Sequence, residues 1–277
     1  LEAAGTLTVN GTVSARATTT ESYSASGGSV LLIGGTIAGS GIVNAAGANN
    51  TFRGGGGGRI ALVQTVANDF TAWTGQATAF GGANGTTLCG HGTVYYEPAS
   101  RPYAGDLELK GTGAQLWPTT GNFSYVRDNT ENKRWCGTIL TGTAGETELH
   151  FGTITVSDYG HLGIGTGVTV VCDVLDCKAV GKDIVTLYGG TLRFTRAAEI
   201  TGGALRCYKA GSRIDFTDGA EDKTLTLTGV EFVADAACSI GGNLVVGAGA
   251  TVDHTRVVNL TTLFGVDLDV EGSMTVD

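Results

Sequence analysis

Residues 26–64, SGGSVLLIGGTIAGSGIVNAAGANNTFRGGGGGRIALVQ, decide the fold of this chain. Two short apolar runs at residues 30–33 and 60–63 follow glycines, and a third run at residues 42–43 lies between them. Short apolar runs bounded by glycine are typical of strands, and no helical period extends far enough to indicate a helix. The signal that begins at residue 30 returns at residue 60. Recurrence at such a period indicates a repeat architecture.

The repeating pattern continues in the second half of the chain. Short Leu-x-apolar triplets begin at residues 205, 225, 244 and 268. The intervals between these starts match one turn of a parallel β-helix, in which each turn supplies two or three short strands. We therefore predict an all-β chain that forms a parallel β-helix.

A β-sandwich of antiparallel strands is the alternative fold. Tight hairpins favour Asn-Gly or Asp-Gly at the turn. Three such dipeptides are present, namely Asn10-Gly11, Asn84-Gly85 and Asp218-Gly219. The hairpin signal keeps the sandwich open, although the small-residue corners favour the solenoid.

Composition points to packed strands and excludes several partner classes. Glycine accounts for 46 of 277 residues, 42% of residues are hydrophobic and only three are proline, which is unlike a disordered chain. Because no apolar run is long enough to span a bilayer, we expect no membrane insertion of this segment. The net charge is −9 without any basic block, which argues against nucleic acid as a partner.

The chain begins without a methionine or a signal peptide and ends in a strand-like segment, so we expect it to be a segment of a longer protein. We predict β-helix repeats at residues 1–97, an insertion or junction at 98–139 and further coils at 140–277. The middle region contains all three prolines, which central strands exclude. Its aromatic residues either bind glycans by stacking on sugar rings or cap the end of a core; the glycan-binding candidates are Trp117, Tyr125 and Trp135.

Three segments of the first region carry a family resemblance: GGSVLL at 27–32, GSGIVNAAG at 39–47 and GGGGGRIAL at 54–62. They resemble the glycine-rich repeats of large bacterial secreted and cell-surface proteins, similar in style to autotransporter passengers. The resemblance extends over residues 1–97. It implies a right-handed parallel β-helix at the cell surface, and it brings no catalytic residues.

We do not expect the five glycines at residues 54–58 to form a phosphate-binding loop, because GxxxxGK[ST] is missing and a strand-like run follows where a helix is needed. We expect them to be required for positive φ or for close backbone approach at a corner. A β-branched residue at Gly56 is therefore expected to damage folding.

Six cysteines are disulfide candidates: Cys89, Cys136, Cys172, Cys177, Cys207 and Cys238. The last three recur at a nearly constant spacing close to the repeat, so we expect them to lie near one another on adjacent turns, while Cys172 and Cys177 are placed for a local bridge. An even number in a secreted chain favours bridges. Buried free thiols are the alternative.

Two polar patterns are candidate sites. In a strand, Glu146, Glu148 and His150 share one face, where they would bind a cation, act as acid and base on a glycan, or simply form a polar surface. A second cluster is a calcium site or a solvated acidic turn; it comprises Asp215, Asp218, Glu221 and Asp222. Glycan-cleaving β-helix enzymes concentrate charged residues on one face, as Asp173, Asp176, Lys178 and Arg193 would here.

We expect a structural or adhesive segment of an extracellular bacterial surface protein, with calcium as the only cofactor to consider. Its expected partners are cell-surface glycans or further copies of itself, stacked end to end. The alternatives are a polysaccharide-active β-helix enzyme, either a lyase or a glycoside hydrolase, and a carbohydrate-binding module.

Overall fold

A computed structural model of the chain describes residues 1–20, 23–50, 54–84, 87–111, 137–142, 146–177, 184–254 and 265–277. Within these ranges the regular elements are strands and none is a helix, which confirms the all-β prediction. The described residues accordingly contain no helix with the length and apolar character needed to cross a membrane. The chain divides into two units. Unit 1 comprises Leu1–Ala114, Cys136–Thr138 and Phe151–Thr155, and unit 2 comprises Gln115–Trp135, Ile139–His150 and Val156–Asp277.

Unit 1 is built from short strands. They are β1 (Glu2–Thr8), β2 (Thr12–Ser14), β3 (Thr19–Thr20), β4 (Tyr23–Ser24), β5 (Ser29–Ala38), β6 (Ile42–Asn44), β7 (Arg59–Gln64), β8 (Gln76–Thr78), β9 (Ala83–Asn84), β10 (Thr87–Leu88), β11 (Thr93–Glu97) and β12 (Asp106–Lys110). Two further strands, β13 (Thr138–Leu140) and β14 (Glu148–Ser157), contribute residues to both units.

Two main sheets organise unit 1, and their strands pair in parallel except for β11 with β12. The order of the longer sheet is β1-β5-β7-β11-β12, and that of the shorter one is β2-β6-β8. Register aligns Val30 with Ile60, and Ile60 with Val94. The core between the strands is apolar: Leu32 and Leu62 have no exposed surface. Each such side chain contributes about 1.5–3 kcal/mol through burial.

A glycine bundle closes unit 1 beside these sheets. It consists of two rows of segments outside the strands: residues 15–17, 45–48 and 79–82 in one row, and 25–28, 54–58 and 89–92 in the other. Hydrogen bonds run along each row, as from Gly57 N to Gly90 O at 2.8 Å, and across the rows, as from Gly58 N to Ala45 O at 2.8 Å. Backbone therefore packs against backbone in two directions.

Close approach, and not positive φ, is what the five-glycine run provides. None of residues 54–58 is among those with positive φ, so the expectation of left-handed backbone was wrong there. A Cβ on Gly58 would lie closer than 3.0 Å to backbone atoms of Gly27 and Gly28, whereas one on Gly56 would find its nearest neighbour, Ser26 Oγ, at 3.5 Å. Gly56 is thus the position of this run with room for a side chain.

Unit 2 contains β15 (His161–Ile164), β16 (Thr169–Cys177), β17 (Ile184–Tyr188), β18 (Thr191–Phe194), β19 (Ala198–Thr201), β20 (Ala204–Lys209), β21 (Ser212–Phe216), β22 (Thr224–Thr228), β23 (Glu231–Ala234), β24 (Cys238–Ile240), β25 (Asn243–Val246), β26 (Thr251–Asp253), β27 (Leu268–Val270) and β28 (Met274–Val276). From β17 onward, each set of three consecutive strands contributes one strand to each of three parallel sheets. Their orders are β15-β17-β20-β23-β26, β16-β18-β21-β24-β27 and β19-β22-β25-β28.

Apolar columns fill the interior of unit 2. Val185, Leu205 and Phe232 occupy one register position of three adjacent strands and are each at most 1% exposed. In the neighbouring sheet Phe194 lies beside Phe216, with ring centroids 6.0 Å apart. The core of this unit therefore consists of aligned side chains that stack from one repeat to the next.

The parallel ladders differ from the antiparallel sandwich considered above. Among the described pairs, only β3–β4, β9–β10 and β11–β12 are antiparallel. Of the three predicted hairpin dipeptides, only the one that begins at Asn84 is at the end of a strand with an antiparallel partner among the described pairs, because Asn84 is the last residue of β9 and β9 pairs with β10. The turns at Asn10 and Asp218 instead connect strands of different sheets, because parallel neighbours cannot be joined by a two-residue turn.

Candidate functional site

The charged residues of unit 2 gather on the outer face of the sheet that contains β18 and β21. Alternate side chains of a strand point to opposite faces, so Leu192 and Ile214 enter the core while Arg193, Arg213 and Asp215 point outward. The parallel register aligns Arg193 directly with Asp215. Directly opposite side chains interact.

The first part of this face joins two of the predicted polar residues to an arginine. Glu148 Oε1 lies 2.9 Å from His150 Nε2, and Glu148 Oε2 accepts a hydrogen bond from Arg193 Nη1 at 3.0 Å. Glu146 precedes β14 and is exposed. The predicted Glu148–His150 neighbourhood is therefore present, and Arg193 is its partner.

The second part continues through Asp215. Its Oδ2 atom lies 3.8 Å from Arg193 Nε and 3.2 Å from Arg213 Nε, and Arg213 Nη1 donates to Glu271 Oε1 at 2.7 Å. We call the six connected residues the charge row; they are His150, Glu148, Arg193, Asp215, Arg213 and Glu271.

The ion pairs shift the pKa of the central groups. Burial by itself raises the pKa of the Asp215 carboxyl, but the hydrogen bond from Arg213, the Phe216 backbone N–H and the charges of Arg213 and Arg193 together hold it below its ordinary value. Hydrogen bonds to Glu271 and Asp215 raise the pKa of Arg213. Both groups are thus held in their charged forms.

This electrostatic arrangement is unlike that of a glycosidase acid. A general acid requires a carboxyl whose pKa is raised, so that it carries a proton at neutral pH. In the charge row two guanidinium groups compensate three carboxylates, and the pKa of Asp215 moves down. The arrangement is better suited to ion pairs that link neighbouring strands, and to polar contacts with a ligand, than to proton transfer.

The acidic cluster predicted as a calcium site is spread over two environments. Asp215 belongs to the charge row, whereas Asp218, Glu221 and Asp222 lie in the segment between β21 and β22. Asp222 Oδ1 accepts a hydrogen bond from Thr224 Oγ1 at 2.6 Å. Among the described residues no group of three His, Cys, Asp or Glu side chains is placed to hold a metal, and the calcium site stays a prediction.

Other predicted residues are divided between the sheet and undescribed segments. Asp173 Oδ1 accepts a hydrogen bond from Thr195 Oγ1 at 2.6 Å, and Asp176 lies on the same strand, β16. Lys178 lies outside the described residues, as do all three aromatic glycan-binding candidates, Trp117, Tyr125 and Trp135.

One disulfide is present among the described residues, between Cys207 and Cys238, whose Cα atoms are 6.0 Å apart. Cys207 is on β20 and Cys238 begins β24, so the bridge connects two sheets diagonally across successive repeats instead of neighbouring strands of one sheet. The local bridge between Cys172 and Cys177 is not formed: both are buried thiols, and burial raises the pKa of Cys172. Cys89 is also a thiol, and Cys136 lies outside the described residues.

A second group of polar residues is buried, and the sequence did not predict this. Strand alternation places these residues on an outer face, where polar side chains are ordinarily exposed. His161, Thr186 and Arg206 are each at most 6% exposed, and His161 Nε2 lies 3.0 Å from Thr186 Oγ1. Burial lowers the pKa of Arg206, while Glu231, Asp235 and Tyr188 oppose that change. These residues form a buried polar cluster on β15, β17 and β20, and alternation alone gives no signal for such burial.

Comparisons of this chain with known protein families, curated proteins and solved structures identified no similar protein.

Proposed function

We propose that this chain is a right-handed parallel β-helix that serves as a structural or adhesive segment of a secreted or cell-surface protein. The observation that carries the proposal is the recurrence in unit 2 of one strand in each of three parallel sheets per repeat. Repeats of this kind bury a continuous core by stacking on their neighbours. The right hand is favoured because crossovers between parallel strands of one sheet are right-handed in about 98% of cases.

An extracellular location is supported by two features. A disulfide such as Cys207–Cys238 is typical of oxidising compartments. The glycine-rich repeat of residues 1–97 resembles those of bacterial surface proteins. The localisation, the bacterial source and adhesion to glycans are all parts of the proposal.

The outer charge row supports a structural role over an enzymatic one. Its carboxylates bind guanidinium groups of neighbouring strands, and such cross-strand pairs stabilise a sheet. The alternative function is a polysaccharide-active enzyme, for which the contact between Glu148 and His150 beside Arg193 is the observation in favour.

Incubation with a panel of neutral, acidic and sulfated polysaccharides distinguishes these functions. We expect retention of some glycans without the appearance of new reducing ends or unsaturated products. Turnover that Glu148→Gln abolishes, in a variant with unchanged thermal stability, would establish the enzyme and refute the structural proposal. Exposed Asp218→Asn is the matched control for loss of one negative charge.

A further inference from the structure

The longer sheet of unit 1 is apolar on both of its faces. Alternation sends Leu32 and Leu62 into the core and sends Leu31, Ile33, Ala61 and Val63 to the opposite side. We call these four outward residues the outer apolar face. Leu31 is 49% exposed, although ordinary outer strand faces are polar.

The same side of this sheet is already packed where β11 meets β12. Tyr95 is the register neighbour of Ala61, and its ring contacts that of Phe151 with centroids 6.2 Å apart. Leu107 pairs directly with Tyr95 in the antiparallel ladder and is only 4% exposed. An apolar layer therefore begins at Tyr95, and the outer apolar face extends it toward Leu31.

Opposite charges flank the outer apolar face along the strand direction. Arg59 is exposed at the start of β7, where its Nε donates to Ser29 Oγ at 3.3 Å. At the other end Glu97 lies beside Val63, and Glu2 lies beside Ile33. Arg59 thus lies at the edge of the outer apolar face where β5 and β7 begin, and Glu97 and Glu2 lie at the opposite edge, beside Val63 and Ile33.

We propose that the outer apolar face binds the same face of a second copy of this chain. The two copies would be related by a two-fold axis that runs along the direction in which the strands of the sheet are stacked, so the strands of the second copy run in the opposite direction. Arg59 of each copy then lies near Glu97 of the other copy, and the apolar residues of the two faces contact each other. This is the self-complementarity that an isologous interface requires. It differs from end-to-end stacking and is independent of the structural or adhesive role.

The size of the face sets the strength of the association. With the flanking strands β1 and β11 included, four strands spaced at about 4.8 Å and five residues rising about 3.3 Å each give about 300 Å² per copy. This is below the standard interface of about 800 Å² per partner, so the dimer is weak and transient. Electrostatic complementarity then has a large share in choosing the partner orientation.

Sedimentation equilibrium over a concentration series, up to the solubility limit, tests this interface. We expect a monomer–dimer equilibrium in the wild type, weakened about tenfold or more by Arg59→Glu and by Leu31→Lys, because a dimer contains each changed contact twice. Arg16→Glu makes the same charge change at an exposed position outside the sheet and is the matched control. Thermal unfolding verifies that each variant is folded.

A charge-swapped double variant makes the test specific to the orientation. Glu97→Arg alone should weaken the dimer, and Arg59→Glu with Glu97→Arg should restore association toward the wild-type value. A wild type that is monomeric at every concentration overturns the proposal. A dimer that responds equally to Arg59→Glu and Arg16→Glu, or a double variant without restoration, overturns it as well.

Discussion

Gly58→Ala should destabilise unit 1 strongly, while Gly56→Ala, in the same glycine run, should not. At Gly58 the new methyl group would lie closer than 3.0 Å to backbone atoms of the neighbouring segment, and backbone cannot rotate away as a side chain does. Forced overpacking costs about 1–3 kcal/mol. The backbone displacement that relieves this overlap also distorts the hydrogen bonds from Gly58 N to Ala45 O and from Thr93 N to Gly58 O, each of which contributes about 0.5–1.5 kcal/mol.

These contributions add to about 3 kcal/mol for Gly58→Ala, or a fall in Tm of about 6–12 °C for a chain of this size. At Gly56 the methyl group finds Ser26 Oγ at 3.5 Å, an ordinary contact, and alanine reduces the entropy of the unfolded chain. Thermal unfolding followed by circular dichroism, with hydrogen exchange of the glycine-run amides, measures both variants. Equal Tm values would show that residues 54–58 are not packed as a bundle.

Three further predictions concern the disulfide, a carboxyl and a tyrosine. Peptide mapping without reductant should find Cys207 linked to Cys238, and reduction should lower the free energy of unfolding by about 3–4 kcal/mol because the bridge closes a long loop; unlinked peptides would contradict this. Because the folded-state pKa of Asp215 lies below its ordinary value, the stability that its ion pairs supply is present above that value and is lost as the pH falls through the folded pKa. Asp215→Asn should therefore lower stability at neutral pH and differ less from wild type in acid, and a pH-independent difference would exclude the carboxylate as the cause. Tyr95, whose pKa burial raises to about 12, accepts a hydrogen bond from Gly105 N at 2.9 Å. Tyr95→Phe should cost about 1–3 kcal/mol in denaturant unfolding and remove a tyrosine whose pKa is about 12; an unchanged midpoint would argue against this bond.

The strands could be predicted from sequence because their signal is local. Glycine-bounded apolar runs mark β5 and β7, and the return at residue 60 of the signal that begins at residue 30 matches their parallel register. The repeat length of unit 2 was less predictable, since loops of different length separate strands that nonetheless align. Ser212 pairs with Cys238 and Leu225 pairs with Leu244, so the length of chain between register partners changes within one unit.

The partners of charged side chains were beyond sequence reasoning. Alternation placed Glu148 and His150 on one face, but their contact with Arg193 depends on pairing between strands that are distant in sequence. Cysteine spacing placed Cys207 and Cys238 on successive repeats, but it did not reveal that the bridge passes between two sheets. The buried state of Arg206 depends on what covers an outer strand face, which the residues of that strand do not encode.

The glycine bundle has a consequence for how this sequence can change over generations. Every amino acid other than glycine carries a Cβ atom, so any replacement at Gly58 introduces the same obstruction, whatever its chemistry. Core positions such as Leu32 differ, since isoleucine or methionine fills a similar volume. Substitutions can therefore accumulate in the sheets but not at the most closely packed glycines of the bundle. Among distant relatives we expect the glycine run to persist after the strands beside it have lost recognisable identity.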